Sequence, residues 1–284
     1  MSREERTMAR VTVLCENSVM RPRGLLGEHG FAALVERDGE TVLFDTGQGL
    51  ALFQNAQTLG IDLASVKKVV LSHGHNDHTG GLAGLLELGG EPDIYAHPDV
   101  FMSRYWEAKG ASKEQISIPF SRSYYEDLGA RFHLSEKSQE VAGGIVTTGE
   151  VERVTPFEKG DASLFRSPED GGGKDLQPDD LSLVIEGEEG LIVLLGCAHA
   201  GLVNILNHVK GMFPGKKIRT VMGGTHLGFS GEEQLAGTIE AMTKMGIEQV
   251  GASHCTGLAG ASRLREALGT DRFFFASVGA VVEA

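Results

Sequence analysis

Short apolar runs separated by polar turns predict a protein of mixed α-helices and β-strands. The first half opens with three such runs, and an Asp-Gly pair between the second and third predicts a β-hairpin. A second hairpin begins the last third of the chain, where strands and helices then alternate as in a sheet with crossover helices. The predicted strands are 11–15, 31–36, 41–45, 67–72, 93–96, 145–148, 181–185, 191–195, 218–222 and 247–252. The predicted helices are 50–59, 79–86, 201–210, 231–245 and 261–268.

Two segments do not follow this alternation. Residues 99–128 contain the single tryptophan, Trp106, and three of the four tyrosines. We predict a helical insertion or cap there, with a small satellite core as the alternative, and its rings could equally stack on a flat substrate or form a homodimer contact. Residues 158–180 are polar and rich in glycine and proline, which predicts a loop. The predicted organisation is a flexible tail at 1–10 and a single domain at 11–284.

Composition is that of a globular protein and excludes several function classes. Of 284 residues, 41% are hydrophobic and 23% are charged, and no apolar run reaches the length of a membrane helix. The net charge of -13 disfavours binding to nucleic acid or anionic membranes. The N-terminus lacks the apolar core of a signal peptide, and three scattered cysteines do not form a disulfide framework. We therefore expect a cytoplasmic protein that acts on a small molecule.

The most informative motif is HGHNDH at residues 73–78, between a predicted strand and a predicted helix. His73 and His75 alternate, so an extended backbone directs both side chains to one side. Asp77 and His78 follow the turn and can reach a second ion. A lone histidine in a loop is ordinarily hydrogen-bonded or solvated, but surface composition does not explain three imidazoles around one carboxylate. The motif predicts two divalent metal ions, zinc first, with manganese or iron as alternatives.

The remaining ligands are expected at the ends of other strands, because functional groups in α/β sheets collect beyond the carboxyl ends of strands. His199 is the predicted fifth ligand, beside the first two histidines of the motif, and His254 is the predicted sixth, beside its aspartate and last histidine. Cys197 and His226 could be ligands or substrate-binding neighbours. Asp45 is expected to orient a histidine from behind. The histidines predicted to be structural are His29, His97, His133 and His208.

The chain resembles the metallo-β-lactamase superfamily in four segments: FDTG at 44–47, SHGHNDHTGG at 72–81, GCAH at 196–199 and SHCTG at 253–257. It is most similar to the branch of metal-dependent hydrolases or 7,8-dihydropterin-6-yl-methyl-4-(β-D-ribofuranosyl)aminobenzene-5′-phosphate synthases. The resemblance implies an αββα four-layer sandwich of two mixed sheets with outer helices and metals at one edge. It also implies that His73, His75, Asp77 and His78 are metal ligands.

The chain departs from the superfamily pattern at two places. Many relatives carry a histidine in a GHT-type turn, whereas the corresponding residues 147–150 contain none. A later bridging aspartate is also missing, and Cys197 or His199 stands where it would fall.

These features predict a dinuclear metal-dependent hydrolase in which a metal-activated hydroxide attacks an ester-like or phosphoryl centre. Asp77 would bind metal and accept a proton, which makes it the predicted catalytic residue. The branch implies an anionic or phosphorylated substrate, and a synthase-like reaction that joins a pterin to an aminobenzene ribotide phosphate. The alternative is a metal-binding module without hydrolytic activity, with a ligand-binding or regulatory role. A redox role would require iron, and no flavin-binding segment supports it.

Overall fold

The computed structural model describes residues 8–22, 24–107 and 112–284. Within these ranges the strands are β1 (Ala9–Cys15), β2 (Ala32–Arg37), β3 (Glu40–Phe44), β4 (Lys68–Val70), β5 (Asp93–Ala96), β6 (Arg104–Trp106), β7 (Glu114–Gln115), β8 (Arg131–Leu134), β9 (Glu140–Ala142), β10 (Ile145–Thr147), β11 (Leu164–Arg166), β12 (Ser182–Gly187), β13 (Gly190–Leu195), β14 (Ile218–Gly224), β15 (Gln249–Ser253), β16 (Phe273–Phe275) and β17 (Val281–Glu283). The helices are α1 (Ala51–Leu59), α2 (Asn76–Thr79), α3 (Leu82–Glu87), α4 (Arg122–Asp127), α5 (Leu202–Met212), α6 (Glu232–Lys244) and α7 (Gly257–Leu268).

The strands form two large mixed sheets and one small sheet. The first has the order β17-β1-β2-β3-β4-β5-β8, the second β16-β15-β14-β13-β12-β10-β9, and the small one β11-β6-β7. The predicted hairpins are the antiparallel pairs β2–β3 and β12–β13. Beyond each hairpin the strands run parallel, from β3 to β8 in the first sheet and from β13 to β16 in the second. Parallel neighbours need crossover connections, and helices supply several of them.

Three apolar layers hold the sheets and helices together. Val11 and Ile192 belong to the layer between the two sheets. Leu52 of α1 packs in the layer outside the first sheet, and Leu206 of α5 packs in the layer outside the second. Helices therefore cover the outer face of each sheet, and the αββα sandwich implied by the resemblance is confirmed.

The prediction of a helical insertion at 99–128 is wrong for most of that segment. Strands β6 and β7 lie there, and only α4 and a short 3-10 turn at 98–101 are helical among its described residues. The third strand of their sheet, β11, comes from 158–180, which the sequence predicted to be a loop. Such pairing joins residues distant in sequence, so local periodicity gives no sign of it.

The strands that the sequence pattern did not indicate lie mainly at sheet edges. Strands β17 and β8 border the first sheet, and β16 and β9 border the second. Each has only three or four residues and is partly exposed, so its apolar pattern is too short to recognise.

The structure describes the chain to its last residue, but it does not describe the first seven residues. Residues 1–7 of the predicted tail lie outside the described residues, whereas Ala9 and Arg10 already belong to β1. Strand β1 pairs with β17, so the beginning and the end of the described chain meet at one sheet edge. None of the described helices is long and apolar enough to traverse a bilayer.

Candidate metal centre

The predicted site residues converge at one edge of the sandwich. The motif at 73–78 follows β4, and the loops after β13, β14 and β15 lie beside it, because these strands all end at that edge. A cavity of about 410 Å³ opens there. Six predicted site residues line it, namely His75, Asp77, Cys197, His199, His226 and His254. The other three, His73, His78 and Asp45, are fully buried.

One group of possible ligand atoms gathers around His73. Its Nε2 lies 3.0 Å from Nδ1 of His75 and 3.3 Å from Nε2 of His199. The thiol of Cys197 completes the group, with one ligand atom each from Cys197, His73 and His199 all within 4.8 Å of one another. The structure therefore places His199 beside the first two histidines of the motif.

A second group gathers around His78. Its Nε2 lies 3.3 Å from Nε2 of His254 and 3.9 Å from Oδ2 of Asp77, and that same oxygen is 3.2 Å from Nε2 of His254. The Cys197 sulfur is 3.2 Å from Nε2 of His78, so this thiol faces both groups.

Hydrogen bonds behind the second group test whether it fits a cation. His78 donates from Nδ1 to Oδ2 of Asp45 over 2.7 Å, and His254 donates from Nδ1 to Oδ1 of Asn17 over 2.9 Å. When neither ring carries a second proton, these hydrogen bonds leave the Nε2 lone pair of each directed inward. Two lone pairs 3.3 Å apart repel each other unless a positive charge lies between them. The donor set therefore fits a bound metal ion.

The first group is oriented in the same way. The Ser72 hydroxyl donates to Oδ2 of Asp45 over 2.7 Å, which leaves its oxygen to accept from Nδ1 of His73 over 2.9 Å. Nε2 of His73 then faces the first group as a lone pair. Asp45 thus fixes two histidines from behind, an arrangement typical of carboxylates that orient metal-binding imidazoles.

The pKa values of the three histidines of the motif are shifted in different directions. Burial lowers the pKa of His75 to about 3, and burial together with neighbouring histidines lowers the pKa of His73 well below its usual value. Burial opposes charge on His78 as well, but the carboxylates of Asp77 and Asp45 raise its pKa to about 9. In the absence of metal, a proton on His78 would therefore take the place of a cation in the second group.

A buried ion-pair network supports the motif from the side of the small sheet. Arg104 on β6 donates to Oδ2 of Asp175 and to Oδ1 of Asp179, each over 2.7 Å. Asp179 also accepts from the backbone N–H of Gly74, inside the motif, over 2.8 Å. A side chain at Gly74 would collide with the structure, since its Cβ would lie 2.1 Å from the carbonyl oxygen of Val100. The motif is thus packed against a rigid neighbour.

The structure also places at the site a histidine that the sequence pattern assigned a structural role. His29 lines the cavity, and its Nε2 lies 3.3 Å from Oδ2 of Asp77. That hydrogen bond raises the pKa of His29. The available signal was topological: β2 runs antiparallel to β3, so the residues before β2 lie at the same edge as the residues after β3.

The other histidines predicted to be structural do not line this cavity. His97 accepts from the backbone N–H of Asp99 over 3.0 Å. His133 bonds Asp93 over 2.8 Å, and His208 bonds the carbonyl oxygen of Thr148 over 3.1 Å.

His226 forms part of the cavity wall. Its Nε2 lies 3.3 Å from Oδ2 of Asp161, and its ring centroid is 4.4 Å from that of His199. Its backbone N–H donates to the sulfur of Cys255 over 3.2 Å. His226 is thus close enough to the predicted ligands to contact a molecule bound beside them.

Four of the side chains that line the cavity are large and apolar, and we refer to them as the apolar wall. They are Trp106, Ile116, Leu164 and Phe229, and the acidic side chain of Glu114 lines the same cavity. Across the described part of the chain, neither lysine nor arginine lines the cavity. An anionic substrate would therefore depend on bound cations and histidines for its electrostatic attraction.

Comparison with known proteins agrees with the fold and the motifs. The model of the metallo-beta-lactamase superfamily matches residues 26–211. A protein of Methanocaldococcus jannaschii, named 7,8-dihydropterin-6-methyl-4-(beta-D-ribofuranosyl)-aminobenzene-5′-phosphate synthase, is 31% identical over 244 residues, which cover 81% of each chain.

Solved structures show the same architecture over nearly the whole chain. A metal-dependent hydrolase of the beta-lactamase superfamily is 27% identical with a TM-score of 0.83, and the match covers 97% of this chain and 99% of the other. The metallo-beta-lactamase fold protein YhfI from Bacillus subtilis is 13% identical with a TM-score of 0.58, covering 98% and 100%. The chain described here belongs to the metallo-β-lactamase superfamily.

Proposed function

We propose that this protein is a dinuclear metal-dependent hydrolase that cleaves an ester-like or phosphoryl bond in a small substrate. The observation that supports it is the convergence of imidazole nitrogens, with Asp77 and Cys197, at one cavity. When bound, divalent ions lower the pKa of a coordinated water to about 7 and so supply a nucleophile near neutral pH.

The two groups support a division of the proposed ligands between two ions. His73, His75 and His199 would hold one ion, and Asp77, His78 and His254 would hold the other. Cys197 faces both groups, and either it or His199 stands where the superfamily pattern has a bridging aspartate. Zinc is the favoured metal because the donors are imidazole, thiol and carboxylate, with manganese or iron as alternatives.

Asp77 is the residue proposed to act directly in the reaction. Its carboxylate is only slightly exposed, and its Oδ2 faces the cavity between His254 and His29. Burial opposes its ionisation, but His78, His254 and His29 together hold its pKa well below the usual range. An ionised Oδ2 at this place can bind a cation and accept the proton of the attacking water.

The apolar wall favours a substrate that contains a flat ring. The relative from Methanocaldococcus jannaschii is named for a dihydropterin joined to a ribofuranosyl aminobenzene phosphate. We therefore propose, as a second candidate, a synthase-like activity on a pterin and an aminobenzene ribotide phosphate. In that reaction a C–N bond forms at the pterin methylene, the C–O bond to diphosphate breaks, and the arylamine loses a proton. The segment 99–128 would then serve as a cap over this pocket.

Trp106 provides a direct test of ring binding. It is the only tryptophan of the chain, and it lines the cavity, so its fluorescence reports on this wall. We expect a saturable change in the fluorescence on titration with a pterin, after subtraction of a Trp106→Phe blank. Glycerol phosphate, which has no ring, is the control and should leave the emission unchanged. An unaltered emission at saturating pterin would argue against stacking at this wall.

The hydrolase proposal is tested with a substrate screen on metal-loaded protein. We expect turnover of at least one phosphodiester, phosphomonoester or lactone, lost on chelation and restored by the metal. The pair of pterin diphosphate and arylamine ribotide belongs in the same screen. Protein that binds both ions and turns over nothing would favour the alternative, a metal-binding module with a ligand-binding or regulatory role.

We also propose a cytoplasmic setting without nucleic-acid partners. The net charge of -13 and the three free, buried thiols support this proposal. A homodimer contact through 99–128 remains the competing interpretation of that segment.

A further inference from the structure

A buried glutamine contacts the proposed ligand His75 from the side opposite the metal groups. Gln177 is 2% exposed and adopts a left-handed backbone conformation with φ of 51°. Its amide nitrogen lies 2.9 Å from Nε2 of His75, while Nδ1 of the same ring faces His73. A non-glycine residue is uncommon in this conformation, so the surroundings must hold Gln177 there.

The small sheet supplies that support. The backbone N–H of Gln177 donates to Oδ1 of Asp175 over 2.9 Å. Asp175 in turn accepts from Arg104 on β6 over 2.7 Å and from Arg166 on β11 over 3.1 Å. Two arginines of the small sheet, one from β6 and one from β11, thus fix the aspartate that holds the backbone of Gln177 beside His75.

The chemistry of His75 decides which amide atom it needs. A neutral imidazole that binds a cation through Nδ1 carries its proton on Nε2, and that proton requires an acceptor. The amide oxygen accepts, whereas the amide nitrogen only donates. Oε1 of Gln177 has no hydrogen-bond partner among the described residues. Rotating the side-chain amide by half a turn exchanges the positions of Oε1 and the amide nitrogen. This rotation breaks no hydrogen bond of Oε1, and it places that acceptor beside Nε2 of His75.

We propose that Gln177 is a positioning residue, which accepts the Nε2 proton of His75 through Oε1 and so fixes the tautomer that binds metal through Nδ1. This inference rests on the proposed metal centre. Gln177 itself does not line the cavity, and its effect on the reaction would pass through His75. It would connect the small sheet to the first group of ligands.

Two substitutions separate this role from simple packing. Gln177→Leu removes the acceptor, and Gln177→Glu keeps one. Titration of metal-free protein with Co²⁺, followed by visible absorption, should show the affinity for the first ion about 10–100-fold weaker in Gln177→Leu. Gln177→Glu should remain within a few-fold of wild type, and the second ion should bind similarly in all three proteins.

Nitrogen-15 NMR of Zn²⁺-loaded wild-type protein tests the same point without a substitution. We expect His75 to be protonated at Nε2, with slow exchange of that proton. Protonation at Nδ1, or equal affinities in Gln177→Leu and wild type, would overturn this inference alone. Equal weakening in the Leu and Glu variants would reduce the role to packing and also overturn it. Failure of the wild type to bind Co²⁺ would instead overturn the metal centre.

Discussion

Replacement of Asp77 with alanine should reduce turnover by about 10²- to 10⁴-fold, the range expected when a positioned proton acceptor is removed. The carboxylate has two tasks, since its Oδ2 faces both His254 and His29 at the cavity floor. The substitution would weaken the second ion and also leave the attacking water without this acceptor. The loss should therefore appear mainly in kcat and persist at saturating metal.

Two further variants give this experiment its controls. Asp77→Asn keeps the size and one carbonyl oxygen but not the charge, so we expect it to bind the second ion weakly and to turn over slowly. Asp271→Ala alters an exposed aspartate and should behave as wild type. A folded, metal-loaded Asp77→Ala protein with full turnover would remove Asp77 from the mechanism.

The Arg104→Met protein should lose about 3–5 kcal/mol of its free energy of unfolding, the cost of removing one partner of a buried ion pair. Arg104 is 1% exposed and serves two carboxylates, Asp175 and Asp179, that are equally buried. Methionine fills much of the same space but leaves Asp179 without an ionic partner among the residues that the structure describes. Total stabilities are about 5–15 kcal/mol, so the expected loss is a large fraction of the whole.

Urea denaturation of wild-type and variant protein measures this difference. Arg131→Met is the matched control, because Arg131 pairs with Glu91 and Asp93 at the surface with half of its side chain exposed. That control should leave the free energy of unfolding close to the wild-type value, since exposed ion pairs are screened by solvent. Since Asp179 also holds Gly74, the Arg104 variant should bind metal more weakly as well. A destabilisation no larger than that of the control would contradict the role given to the network.

The sequence pattern predicted the central strands and the outer helices because their apolar residues are regularly spaced. Strands β3 and β13, for example, lie within one or two residues of the predicted ranges 41–45 and 191–195. The spacing of apolar residues could not reveal the edge strands, since β16 and β17 are only three residues long. The small sheet was also hidden, because β11 pairs with a strand about sixty residues earlier in the chain.

The residues of the site likewise fall into those that a local sequence pattern could predict and those that it could not. His199 and His254 follow predicted strands, so their approach to the motif could be predicted from the ends of those strands. Gln177 and Arg104 reach the motif through the small sheet, and no local pattern indicates that path. His29 precedes an antiparallel strand, and a rule based only on carboxyl ends overlooks it.

The metal-to-protein ratio after dialysis against Zn²⁺, determined by elemental analysis, tests the central claim most directly. We expect two ions per chain in wild type and in His133→Ala, whose ring bonds Asp93 away from the cavity. One ion should remain in His254→Ala, and one in the double variant His73→Ala/His199→Ala. Wild-type protein that retains no ion would contradict the proposed dinuclear centre. Retention of two ions by His254→Ala or by His73→Ala/His199→Ala would contradict it as well.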